Sequence, residues 1–138
     1  MQSPIAIIVN TYRTKFVTFR ASRYFRGRAR HDDVRAVVDE GGDVGRFYFA
    51  KCNGFFRDAQ GVHYVALQWY DQRNNDVVDP TVGLPRLTLK NPDLRASHSI
   101  LPATSITNGA LLIGLNTWHF AVMPPAELAR FVDNKGLA

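Results

Sequence analysis

The stretch GVHYVALQWYD, residues 61–71, decides the fold class because its side chains alternate with a period of two. Apolar residues on one side and polar or amphipathic residues on the other are typical of a half-buried strand. We therefore predict a strand with its apolar set in the core and its two tyrosines displayed outward. The two sets are Val65, Leu67 and Trp69 on the core side, and Tyr64, Gln68 and Tyr70 on the other.

Short runs of the same kind recur along the chain and are separated by turn residues. Their β-branched and aromatic residues favour strands. VRAVV also fits one helical turn capped by Asp32 or Asp33, but its valines favour a strand. The turn DAQG (58–61) predicts a hairpin into the opening stretch. The predicted strands are KFVTF (15–19), VRAVV (34–38), RFYFAKC (46–52), RLTLK (86–90), HSILPATSI (98–106, broken at Pro102), the buried run ALLIGL (110–115) and WHFAVM (118–123).

Strands at this spacing predict a mainly β fold, a compact distorted β-barrel of six to eight short strands. One short C-terminal helix is predicted over residues 125–135, because Leu128 and Phe131 have helical spacing and Gly136 suits a C-cap. The 138 residues are expected to form a single domain over 1–138. Alternating β and α units and a glycine-rich phosphate loop are absent from the sequence.

The cysteine count bounds the chemistry of the chain. Cys52 is the only cysteine, which excludes an intramolecular disulfide and a cysteine-based zinc site. This usage suits a reducing compartment. No apolar run approaches the roughly 18 residues of a membrane span, so no membrane partner is predicted.

Positive charge is concentrated in TYRTKFVTFRASRYFRGRAR, residues 11–30. This segment holds seven basic residues and no acid, and since the whole chain carries +5, the remainder carries 5 − 7 = −2. Arginine forks suit phosphates, and interleaved rings are typical of nucleic-acid binding. A solvated basic arm or an added strand pair fits the segment as well. The predicted nucleic-acid-binding residues are Arg13, Lys15, Arg20, Arg23, Arg26, Arg28 and Arg30.

Catalytic and metal-binding patterns are weak. None of the four histidines has a partner at metal-binding spacing. Asp32 and Asp33 suit a divalent ion, or a turn or cap that balances the neighbouring basic charge. Cys52 would be a nucleophile only with a base beside it, and buried filler is the simpler interpretation. We therefore expect a non-enzymatic module with no metal and no cofactor.

The order of features over residues 34–115 resembles a bromo-adjacent homology (BAH) domain. The segments that carry this resemblance are RFYFAKCNGFFRDAQG, HYVALQWYDQRNND and SHSILPATSITNGALLI. The same order resembles BAH-like segments of eukaryotic transposon-encoded proteins. The resemblance implies a distorted β-barrel that binds proteins or nucleosomes without catalysis, and a nuclear location.

Some members of that family bind methylated lysine in an aromatic cage, where rings attract the cation. The cage candidates here are Tyr48, Trp69 and Tyr70, with Asp71 or Asp76 supplying charge. Cross-strand aromatic packing on a half-covered sheet face is the alternative.

The leading hypothesis is a chromatin- or nucleic-acid-associated interaction module that binds phosphates through residues 11–30 and a protein partner through a barrel face. One alternative is a single-stranded nucleic-acid binder on an OB-like barrel, with Tyr12, Phe16, Tyr24 and Phe25 stacking on bases. Another is an accessory domain of a transposase-type enzyme. A structural role also fits, because the apolar strand IAIIV would pair with another chain if its edge were free.

Overall fold

The computed structural model describes residues 7–15, 17–25, 28–37, 47–72, 83–115, 118–123, 126 and 128–129. Up to residue 123 these residues form strands joined by turns and two single-turn 3₁₀-helices, Arg95–Ser97 and Ala103–Ser105, and residues 126 and 128–129 are helical. The predicted mainly β fold is therefore confirmed. The strands are β1 (Ile7–Val9), β2 (Thr11–Arg13), β3 (Thr18–Phe25), β4 (Arg28–His31), β5 (Asp33–Val37), β6 (Phe47–Arg57), β7 (His63–Gln72), β8 (Arg86–Leu89), β9 (His98–Pro102), β10 (Ile106–Gly109), β11 (Leu111–Leu115) and β12 (Trp118–Val122).

The long antiparallel hairpin of β6 and β7 forms the centre of the molecule. Its turn is fixed by Asp58, whose Oδ1 accepts the backbone N–H groups of Gln60 and Val62, each at 2.9 Å. Gly61 adopts a φ of 85°, a conformation that glycine reaches without strain. The hairpin predicted at DAQG is thereby confirmed.

Two strands line each outer edge of this hairpin. Strands β5 and β1 pair with successive parts of β6, and strands β9 and β8 pair with successive parts of β7. The main strand order is β10-β5-β6-β7-β8-β12-β11. Strand β9 ends at Pro102, as predicted, because proline cannot donate to a ladder.

The central sheet is covered on one face along its length and on the other face only near Phe49 and Tyr70. Val65 and Leu67 are fully buried in a first core cluster with Phe19, Val34 and Phe55. A second cluster, on the opposite face, is built around Phe49, Tyr70, Leu87, Ala121 and Met123. The central strands therefore bury both sets of alternating side chains at the end that carries Phe49 and Tyr70, whereas Tyr64 and Phe56 at the other end stay partly exposed.

This double cover corrects the prediction for β7. Val65, Leu67 and Trp69 do face the first cluster as expected. Tyr70 and Gln68, which were expected to face solvent, are also buried. The Gln68 Oε1 accepts a hydrogen bond from the Asn53 side chain, and its Nε2 donates to the Lys90 carbonyl oxygen. The polar atoms of Gln68 therefore have partners inside the protein.

A second sheet, formed by β2, β3 and β4, contains the described part of residues 11–30. We call it the small sheet. Its inner face, with Phe19 and Ala21, packs on the first core cluster. The chain leaves it through Asp32, whose N–H donates to the Arg20 carbonyl and whose carbonyl accepts the Cys52 N–H. Asp32 thus joins the small sheet to the central hairpin.

The predicted β-barrel is wrong for the part of the chain that the structure describes, because no sheet there closes. Strands β10 and β11 are the two ends of the main strand order, and only Ala110 lies between them in the chain. The ends therefore approach through the chain connection, without a ladder of hydrogen bonds between them.

The predictions for the C-terminal region have mixed outcomes. ALLIGL was expected to be buried, yet Leu111 and Ile113 of β11 are exposed, because no described element covers the outer face of the β11–β12 hairpin. The helix predicted over 125–135 lies largely outside the described residues. The few residues described there do not establish a helix.

Candidate nucleic-acid interface

The small sheet sorts the basic segment into two faces. In β3, Phe19 and Ala21 point inward, so Thr18, Arg20 and Ser22 point outward. Residues that pair across strands share a face. The pairs Thr11–Arg20, Arg13–Thr18 and Ser22–Arg30 therefore lie on the outer face.

Three arginines lie on one diagonal of this outer face. Arg13 and Arg30 are each displaced by two residues from the position opposite Arg20 on its two neighbouring strands. Such diagonal neighbours are about 7–8 Å apart. We call this surface the arginine face and define it as Thr11, Arg13, Thr18, Arg20, Ser22, Arg30 and the side chain of Asp32.

The remaining predicted basic residues are placed less fully. Lys15 is exposed in the β2–β3 turn. Arg23 lies in β3 and Arg28 in β4, but their side chains are outside the described part, as is the whole of Arg26. The structure thus brings Arg13, Arg20 and Arg30 together on one face.

Asp32 supplies a carboxylate to the arginine face. Its Oδ1 accepts the Arg30 Nε–H at 3.1 Å, and its Oδ2 accepts the Arg20 backbone N–H at 2.8 Å. The interpretation that this aspartate balances local charge is therefore confirmed at Arg30. A groove of about 400 Å³ runs beside this pair and is also lined by Asp33 and Thr18.

Tyr12, the aromatic residue of β2, faces away from the arginine face. Its ring stacks on Phe55, with centroids 6.0 Å apart, and lies 5.6 Å from the His63 ring. Its ring therefore packs against the first core cluster. Of the other rings predicted to stack on bases, Phe16 lies outside the described residues, and Tyr24 and Phe25 are placed only as strand positions.

The predicted aromatic cage is divided between the two faces of the central sheet. Tyr48 and Trp69 meet edge to face, with centroids 6.2 Å apart, and the Trp69 Nε1–H donates to the Ser99 hydroxyl at 2.9 Å. Tyr70 lies on the opposite face, and Asp71 is exposed. The three rings therefore do not form one cage, because successive strand residues point to opposite sides. Asp76 lies outside the described residues.

A buried pair of polar side chains was not predicted. The Tyr70 hydroxyl donates to Asp33 Oδ1 at 2.7 Å, and the Tyr70 ring meets His119 with centroids 5.3 Å apart. Burial raises the pKa of the Asp33 carboxyl, although the Tyr70 hydrogen bond and the charge of Lys51 oppose this. Burial and the Asp33 bond also raise the pKa of Tyr70.

Alternation alone would have revealed the hydroxyl residues of the arginine face. In TFRAS, residues 18–22, the polar residues alternate with Phe19 and Ala21. The Asp33–Tyr70 contact joins residues 37 positions apart. No local pattern in the sequence marks it.

The described part of the chain contains no group of three or more His, Cys, Asp or Glu residues that could hold a metal ion. Cys52 is buried, and burial raises the pKa of its thiol, with Asp32 and Asp33 adding to the effect. A protonated thiol is a poor nucleophile.

Within the described residues, no helix has the length and apolarity needed to cross a bilayer. No known family model matches the chain, and no curated protein matches it significantly.

Proposed function

We propose that this protein binds the phosphate backbone of a nucleic acid through the arginine face, without catalysing a reaction. The observation that carries the proposal is the diagonal of Arg13, Arg20 and Arg30 across three paired strands. Because paired strands fix the spacing of these cations, binding would cost little backbone conformational entropy.

The chemistry of the face suits phosphate oxygens. Guanidinium groups donate two parallel hydrogen bonds to such anions. Hydroxyl residues between the arginines add further donors of the kind that commonly contact phosphates. Three arginines and one aspartate give the face a formal charge of 3 − 1 = +2.

The direction of Tyr12 favours a duplex over a single strand as the partner. A binder of single strands presents rings on which unpaired bases stack. The arginine face instead carries arginine and hydroxyl side chains, and Tyr12 packs on Phe55 behind it. Backbone contact without base readout predicts binding that depends on salt and tolerates any sequence.

The association with chromatin and the nuclear location extend this proposal. They rest on the BAH resemblance and on the basicity of residues 11–30. A protein partner is part of the same proposal, and Tyr48 with Trp69 is the pair of cage candidates that the fold keeps together.

The test is a titration of a labelled DNA duplex by fluorescence anisotropy, at salt concentrations from about 50 to about 200 mM. Arg13→Gln and Arg20→Gln should each weaken binding and lower the slope of log affinity against log salt by about 0.9. Arg95→Gln is the matched control, because Arg95 is exposed but lies in a 3₁₀-helix outside the small sheet.

Equal losses for Arg95→Gln and the two face variants would show that net charge alone drives binding. Absence of binding at low salt would refute the proposal. Competition by unlabelled single strands that is stronger than competition by duplex would favour the base-stacking alternative.

A further inference from the structure

We propose that Asp32 is an internal competitor of phosphate, which occupies Arg30 until a nucleic-acid phosphate displaces it. This inference rests on the proposed function and specifies how the arginine face is regulated. It predicts that Arg30 is paired with the protein's own Asp32 carboxylate in the free state.

The two oxygens of the Asp32 carboxylate have separate tasks. Oδ2 accepts the Arg20 backbone N–H at 2.8 Å and thereby helps to hold the end of the small sheet. Oδ1 accepts the Arg30 Nε–H at 3.1 Å. A phosphate can therefore replace Oδ1 at Arg30 while Oδ2 keeps its bond to the backbone.

The position of the pair makes displacement easy. The Arg30 and Asp32 side chains are 45% and 21% exposed, so water screens their attraction and the pair contributes little by itself. The adjoining groove of about 400 Å³ is lined by Arg30, Asp32 and Thr18, which leaves space for a phosphate group beside the guanidinium.

A single substitution separates the two tasks of the carboxylate. In Asp32→Asn the amide oxygen can still accept the Arg20 N–H, whereas the amide NH₂ cannot accept from Arg30. The variant therefore removes the carboxylate that competes with phosphate at Arg30 and a negative charge from the face, while keeping the backbone bond.

The experiment is a double-mutant cycle on duplex affinity with wild type, Asp32→Asn, Arg30→Gln and the double variant. If a phosphate displaces Asp32, then Asp32→Asn tightens binding more when Arg30 is present than when Gln replaces it, by about threefold. Relief of repulsion between Asp32 and phosphate is common to both backgrounds and cancels in the cycle. Asp93→Asn, in the turn after β8, is the control that changes net charge equally outside the face.

Equal gains in the two backgrounds, or a gain no larger than that of Asp93→Asn, would overturn the competitor role. In that case weaker binding by Arg13→Gln and Arg20→Gln would leave the proposed function standing. A wild-type protein that binds no duplex would overturn both.

A measurement on the wild type makes the test independent of how well the variants fold. On titration with duplex, the Arg30 Nε–H resonance should shift in step with binding, because its acceptor changes from carboxylate to phosphate. The Arg20 amide resonance should keep the signature of its bond to Asp32. An Arg30 Nε–H resonance that does not move during saturable binding would refute the displacement.

Discussion

Asp32 and Asp33 are consecutive in the chain and both line the groove beside Arg30, yet their carboxylates have different partners. Asp32 lies on the arginine face, where its carboxylate forms a solvent-accessible ion pair with Arg30. Asp33 begins β5 and is directed to the second core cluster, where its partner is the neutral hydroxyl of Tyr70. One carboxylate therefore balances an exposed cation, and the other accepts a part-buried hydrogen bond from a neutral hydroxyl.

The difference shows that two consecutive residues can have different partners when the chain passes from one sheet to the next between them. At Asp32 the chain leaves the small sheet and enters the central one. Screening by water makes the Arg30 pair weak and exchangeable. The bond between Asp33 and Tyr70 is part-buried, so breaking it would leave two polar groups with reduced access to water.

The largest expected change in stability tests whether the sheet face that carries Tyr70 is buried in the second core cluster. Leu87 of the second core cluster is 2% exposed, so Leu87→Ala should lower the free energy of unfolding by about 2–5 kcal/mol. Leu111→Ala is the matched control on β11, since Leu111 is 63% exposed and should cost about 0.5 kcal/mol at most. Urea unfolding followed by tryptophan fluorescence measures both.

Similar costs for the two leucine variants would contradict the second core cluster. The Tyr70 face would then be the half-covered sheet surface that strand alternation alone suggests.

A smaller effect tests the hydrogen bond that holds Asp33. Tyr70→Phe keeps the ring against His119 but leaves the Asp33 carboxyl without its donor, so the protein should lose about 1–3 kcal/mol of stability. Tyr64→Phe is the control on the same face of β7, and its ring keeps the stack on Phe56. We expect that variant to unfold within about 0.5 kcal/mol of wild type.

If Tyr70→Phe is as stable as Tyr64→Phe, then water reaches Asp33 and the contrast with Asp32 disappears. Chemical denaturation at neutral pH distinguishes the two outcomes.

Local patterns in the sequence predict the central hairpin well, for a physical reason, whereas KFVTF (15–19) was placed too early, since β3 begins at Thr18. Alternation over 61–71 and the turn at DAQG predict β7 and the hairpin, and RFYFAKC (46–52) predicts the first half of β6, since these signals act within a few residues. The proline at 102 likewise ends β9 where expected.

The arrangement of the strands was less predictable. Alternation tells which side chains share a face but not what covers that face, so the burial of Tyr70 and the exposure of Leu111 were both mispredicted. The open sheet depends on which strands pair at the far ends, and this is decided by contacts between distant residues.

The candidate site was predictable in its charge and not in its geometry. Composition alone identified seven basic residues in the segment 11–30, and Arg13, Arg20 and Arg30 are among them. That these three lie on one diagonal follows from the register of β2, β3 and β4, which no local pattern gives. The division between Asp32 and Asp33 depends on where the chain changes sheets.

The smallest expected effect is a pH dependence that belongs to Asp33. Burial raises its folded pKa above the ordinary value of 3.8, so the folded state holds this proton more tightly than the unfolded state. The contribution of Asp33 to stability therefore falls as the pH rises from about 3.8 through the folded pKa, and it is constant above that. Asp33→Asn stays uncharged and its amide oxygen can still accept the Tyr70 hydroxyl, so it lacks this fall.

The measurement is urea unfolding of wild type and Asp33→Asn at a series of pH values from about 3.5 to about 7.5. The stability of the variant relative to wild type should increase with pH across this window and then level off, because only wild type must take up a proton or bury a charged carboxylate as it folds. Parallel curves, or a relative stability that decreases with pH, would show that the Asp33 carboxyl ionises as freely in the folded protein as in the unfolded chain. Asp33 would then experience a solvated environment, and the contrast with its neighbour would be one of position only.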